Sequence, residues 1–130
     1  MRYAILALQW LIRVCAVVQI TLGGLFWTGN AFTLLQVHML TGIVLVLGLW
    51  AQAAIAARSG LGWRFPAGAF VLGLIVVALG MTQDSLLTGD LHWLIKVLHL
   101  LVGLGAVGMA ETLAVRTLRR IRPLARYTVA

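Results

Sequence analysis

Two histidines stand where histidines are rare. His38 lies in QVHMLTG, residues 36–42, and the apolar run IVLVLGLW follows it directly. His99 lies in VLHLLVG, residues 97–103, within a second apolar segment. Each is followed four residues later by a glycine, Gly42 and Gly103. In a helix, residues i and i+4 lie on one face. Each motif therefore offers an imidazole nitrogen with clear space one turn along. Neutral imidazole is a common transition-metal ligand. Two imidazoles on opposite faces of a flat macrocycle are the donor set of a six-coordinate haem iron, and the glycines remove side chains that would strike the plate. Two hydrogen-bonding histidines linking helices are the plainer alternative. A closed zinc site wants four ligands, and no matching third and fourth donors are evident at this depth.

Other polar residues surround this pair. Positions 92, 96, 99 and 103 share one helical face, so His92 and Lys96 lie above His99. Lys96 is placed to pair with a haem propionate, or to snorkel to outer headgroups. His92 is placed to touch a propionate, to pass protons, or to sit as an ordinary interfacial histidine. Arg13 lies well inside the first apolar run, where an unpaired charge is costly. Glu111 near the end of the last run is its expected structural partner. Gln19 and Gln36 are candidates for hydrogen bonds within the bundle. The single cysteine, Cys15, cannot form an internal disulfide and reads as a small buried residue.

The elements that position these groups follow from composition. Of 130 residues, 62% are hydrophobic and 10% charged, and the mean hydropathy is +1.05. Soluble domains are about half apolar and a quarter charged. The expected solvent is therefore a lipid bilayer. A spanning helix needs about 20 apolar residues, so the chain has room for four. The expected fold is an all-α integral membrane protein, one four-helix transmembrane domain over 1–130. Its helices fall at about 4–27, 32–57, 66–84 and 91–115, with a basic tail at 116–130. The first segment is too long for a signal-peptide core and is read as a retained helix. Asn30 and Asp90 are placed to cap the helices that follow them, and Pro66 suits a helical first turn.

Charge sets the expected orientation. The net charge is +7. Arg116, Arg119, Arg120, Arg122 and Arg126 cluster just past the last apolar run, and Arg2, Arg58 and Arg64 fall on the same side. Both termini are thus expected to be cytoplasmic, in a prokaryotic-type cytoplasmic membrane. The cluster lacks the interleaved aromatics of a nucleic-acid surface, so no nucleic-acid partner is expected. Trp27 and Trp93 mark the outer interface, and Trp63 the inner one.

The chain also repeats itself. Thr28-Gly29-Asn30 matches Thr88-Gly89-Asp90 at an offset of 60, and His38 and Gly42 match His99 and Gly103 at an offset of 61. Leu22-Gly23 matches Leu79-Gly80 at an offset of 57, so the second outer loop is longer. Two copies of one helical hairpin, in the same orientation, give this pattern. The second and fourth helices then run the same way, and both imidazoles lie roughly 12–14 Å below the outer helix ends at 1.5 Å per residue.

The stretch QITLGGLFWTGNAFTLLQVHMLTG, from Gln19 to Gly42, resembles the haem A synthase family. Hairpins of that family carry a Q-x-x-L-G-G-x-x-x-x-T-G stretch, an outer loop and a histidine-bearing helix. Its members usually have two four-helix halves, and the chain resembles one half over roughly residues 5–115. The resemblance implies that His38 and His99 flank a haem near the outer surface. The family's E-x-x-H-R pattern is absent: Leu35 stands at the glutamate position and Met39 at the arginine. Without that carboxylate the resemblance supports the scaffold and the haem more than the reaction.

Taken together, the sequence points to a b-type cytochrome. It binds haem b non-covalently, since no C-x-x-C-H motif is present. The expected role is electron transfer, with quinol or a redox partner subunit as electron source and a homodimer as one possible assembly. Two other readings stay open: a haem-modifying oxygenase, and a cofactor-free membrane subunit or transporter.

Overall fold

The computed structural model describes residues 1–121, and Arg122 and Arg126 lie outside the described residues. Four helices make up the fold: α1 (Arg2–Trp27), α2 (Leu35–Arg58), α3 (Arg64–Thr82) and α4 (His92–Ile121). A short 3-10 turn, Phe32–Leu34, leads into α2, and another, Gln83–Ser85, follows α3. No strand occurs among the described residues. Each helix, with its flanking turn, is long and apolar enough to cross a membrane.

The short connections make neighbouring helices antiparallel. α1 and α3 each pack on both α2 and α4, and α2 and α4 also touch across the bundle. The two histidine-bearing helices therefore form its short diagonal. The core lies in the half of the bundle that holds the start of α1 and the end of α4, termed the inner half, with the opposite half termed the outer. Ile12, Leu49 and Leu113 are fully buried there, among Ala53, Ala56, Ala69, Ala106 and Ala110. Small residues let helix backbones approach closely when hydrophobic burial does not drive association. Large apolar side chains such as Val17, Leu40, Leu47, Val71 and Leu101 point outward. A surface of this kind suits a lipid solvent.

Polar contacts also tie the inner half. Arg13 donates through Nε and a terminal nitrogen to the two Glu111 oxygens, at 2.7 and 2.8 Å. The ion pair expected from the sequence is present. Gln9 donates to the same carboxylate. Buried Gln52 lies between α1 and α4; with its amide turned to satisfy both neighbours, its nitrogen donates to the Ala110 carbonyl at 2.9 Å and its oxygen accepts from the Gln9 backbone N–H at 3.3 Å. The Arg116 guanidinium lies 4.0 Å from the Phe65 ring centroid, joining α4 to the start of α3.

Helix ends depart from the sequence expectations in three places. The tail expected from residue 116 does not begin there: α4 continues through Ile121, so Arg116, Arg119 and Arg120 lie on helix, and residues 122–130 lie outside the described residues. Alanine, leucine and arginine are good helix formers, and the loss of apolar character at residue 116 does not interrupt them. Asn30 does not cap α2. Its amide donates instead to the Thr28 carbonyl and hydroxyl oxygens at 3.1 Å. The chain turns through Gly29 at φ +79° and Ala31 at φ +60° before the helix begins. Gly89, in the matching turn, has φ +93°, a conformation that favours glycine because it has no Cβ. Finally, α3 begins at Arg64, with Pro66 in its first turn.

Candidate functional site

The outer half of the bundle is hollow. A cavity of about 550 Å³ opens there, within the range of cofactor pockets, about 300–1,000 Å³. All six residues singled out from the sequence, His38, His99, Gly42, Gly103, Lys96 and His92, line it. The imidazoles come from the helices of the short diagonal. Their depths agree. His38 lies one 3-10 turn and three α-helical residues below Phe32, and His99 lies seven α-helical residues below His92. At 2.0 Å and 1.5 Å per residue, both distances come to about 10.5 Å. This is shallower than 12–14 Å, because Asn30, Asp90 and their neighbours form turns rather than helix.

The ring centroids of His38 and His99 are 6.4 Å apart, with planes inclined at 48°. Imidazole has bonds of about 1.33 Å and hence a ring radius of about 1.1 Å. Metal–imidazole bonds of about 2.0 Å to one shared ion then place two centroids about 6.2 Å apart. The observed separation matches this span. Both Nδ1 atoms are buried and make no hydrogen bond among the described residues. An orphaned buried polar atom is costly and calls for an explanation. Among the described residues, no group of three or more His, Cys, Asp or Glu forms a cage for a free ion. The donor set is a pair of imidazoles, which suits an ion already held by four equatorial donors.

Glycines make space for these rings, but they are not only those expected. A Cβ at Gly23 of α1 would lie 3.9 Å from His38 Cε1, and one at Gly80 of α3 would lie 3.4 Å from His99 Cε1. The same contact thus occurs in both halves. The matched Leu-Gly pairs at residues 22–23 and 79–80 were the sequence signal for it. Gly42 departs from its expected role. A Cβ there would first meet the Gln19 amide, 3.3 Å away. Gln19 donates to the His38 carbonyl and to the Thr41 hydroxyl, the latter at 2.7 Å. A Cβ at Gly103 would meet nothing within 4 Å among the described residues.

The two hairpins line the cavity differently: Phe26, Trp27, Phe32 and Leu35 come from around the α1–α2 turn, and Gln83, Asp84, His92 and Lys96 from around the α3–α4 turn. Phe26 stacks on Phe32 and meets His38 edge-on, with centroids 5.3 Å apart. His92 Nδ1 lies 3.2 Å from the Leu86 carbonyl oxygen, so the longer outer loop fixes its ring. The apolar lining from one hairpin and the polar lining from the other together suit a flat, largely apolar ligand with anionic groups at one edge. No protein-family model, curated protein or solved structure matches the chain.

Proposed function

We propose that the chain is a membrane b-type cytochrome that holds haem b between His38 and His99 for electron transfer. The observation that carries this reading is the separation of the two orphaned imidazoles, 6.4 Å between centroids across a shared cavity. A hydrogen-bonding role alone leaves both Nδ1 atoms without partners. Haem b bound there supplies one-electron redox chemistry.

The remaining roles belong to the chain. His38 and His99 would hold the haem iron through their imidazole nitrogens. Lys96 and His92 would hold its propionates, and the Lys96 ammonium would offset one carboxylate charge. Phe26, Phe32 and Leu35 exclude water from the ring. The resemblance of Gln19–Gly42 to haem A synthases agrees with this assignment. The excess of arginine at one end supports two cytoplasmic termini in a cytoplasmic membrane. The site then lies near the outer face, where quinol or a redox partner subunit has access.

The test is the absorption spectrum of the purified, reduced protein with a pyridine haemochrome assay. A low-spin haem b spectrum is expected. His38→Ala and His99→Ala should each abolish that low-spin signal, whereas His92→Ala should keep it. A colourless parent protein overturns the haem. A normal spectrum in both ligand variants overturns the ligands.

A further inference from the structure

The two imidazoles are restrained unequally. On the α2 side, Gln19 occupies the space beside Gly42 and bonds to the His38 carbonyl and to Thr41. Thr41 in turn donates to the Val37 carbonyl at 2.7 Å. Phe26 braces the His38 ring edge-on. The corresponding positions of the second half are different. At the offset of 57, Val76 stands for Gln19 and Gln83 for Phe26; at 61, Val102 stands for Thr41. Valine cannot hydrogen-bond a carbonyl or reach across to Gly103 as glutamine reaches Gly42. The space beside Gly103 is open among the described residues and belongs to the same cavity.

We propose that His99 is the exchangeable member of the pair, and that the open space at Gly103 is a binding site for a small neutral ligand such as a diatomic gas. The inference rests on the bis-histidine haem reading. His38, whose backbone carbonyl is held by the Gln19 amide and whose ring meets Phe26, stays in place. Both rings have a glycine behind them, but only His99 has open space one turn below it, so its ring has room to turn away. One ligand replaces another, and no electron moves. Leu100, Leu104 and Val107, neighbours of Gly103 along α4, line the same cavity. These apolar side chains admit an uncharged diatomic molecule and disfavour an anion, which would leave water without a hydrogen-bonding partner.

The experiment uses the ferrous, haem-loaded protein and carbon monoxide, read by the absorption spectrum. The parent is expected to convert to a carbonyl spectrum. Gly103→Ala is expected to keep the low-spin spectrum but convert far more slowly or not at all. Gln19→Val, which gives the first half the residue of the second, is expected to restore conversion in the Gly103→Ala background by freeing the His38 side. Unchanged conversion in Gly103→Ala overturns the proposal, as does a parent that does not convert.

A second pair of variants covers the case in which Gly103→Ala fails to assemble. His99→Ala should retain haem in a high-spin, carbon monoxide-reactive form, and His38→Ala should lose most of it. Equal retention in the two, or the reverse order, overturns the assignment. A parent that carries no haem is a separate outcome: it removes the cytochrome reading itself.

Discussion

Gly80 offers a graded test of the site. A Cβ at this position lies 3.4 Å from His99 Cε1, an ordinary contact for carbon atoms about 3.5–4.0 Å apart at their optimum. Alanine therefore fits. It also removes the entropic cost of a glycine inside a helix, about 0.5–1 kcal/mol. Gly80→Ala should keep the low-spin spectrum and raise the unfolding midpoint slightly. Valine adds methyl carbons about 1.5 Å beyond Cβ. A methyl directed at the ring then stands roughly 2 Å from Cε1, well inside contact distance. Helical valine has one strongly preferred rotamer and little freedom to turn both methyls aside. The imidazole must retreat by more than 1 Å, against a tolerance for metal–ligand distances of about 0.2 Å. Valine is still a better helix former than glycine, so the defect should be confined to the site. The assay is the reduced absorption spectrum and haem content, beside thermal unfolding in detergent. Gly80→Val should lose the low-spin signal while the protein stays folded. Full haem content with an unchanged low-spin spectrum in Gly80→Val would refute the placement of His99 against α3.

Three further outcomes are expected. Gly73→Ala should destabilise the α2–α3 contact by about 1–3 kcal/mol through overpacking. Its Cβ would strike Trp50 Nε1 and stand 3.0 Å from Val46 Cγ1, displacing the indole from its 3.2 Å hydrogen bond to the Phe70 carbonyl; denaturant unfolding in detergent measures the loss. Arg13→Glu should lower the unfolding temperature by setting two carboxylates together, and adding Glu111→Arg should recover most of it, because the bidentate pair can re-form with its ends exchanged. Failure of the double variant to recover would show that the Gln9 bond to Glu111, rather than the ion pair, holds this contact. Gly42→Leu should lower haem occupancy while the helices stay assembled, since its side chain expels the Gln19 amide into the cavity; haem per protein after purification is the readout.

Much of this architecture is legible in the chain before folding is considered. Four apolar runs with polar breaks dictate four helices, since helical spans satisfy their own backbone groups in lipid. The isolated Arg13 demands a carboxylate, and Glu111 is the only acidic residue in the inner half of the chain's helices. The spacing of His38 and His99 from the matched Thr-Gly turns implies equal depth. All of these follow from local or additive properties: hydropathy, charge and rise per residue.

The distance across the bundle does not. Whether two imidazoles of equal depth lie 6.4 Å apart or face lipid depends on which diagonal of the bundle is short. That choice is made by many small packing terms among Ala53, Ala56, Ala106 and Ala110, far below the site. The same packing fills the inner half and leaves the outer half hollow. It also sets Gly23 and Gly80 behind the rings and seats Gln19 against Gly42, contacts between helices for which sequence spacing holds no distance. The end of α4 is a local matter by contrast: polarity rises at Arg116, but the backbone stays helical because its residues still prefer that state. Depth and donor type were properties of single helices, whereas the meeting of the donors was a property of how four helices pack.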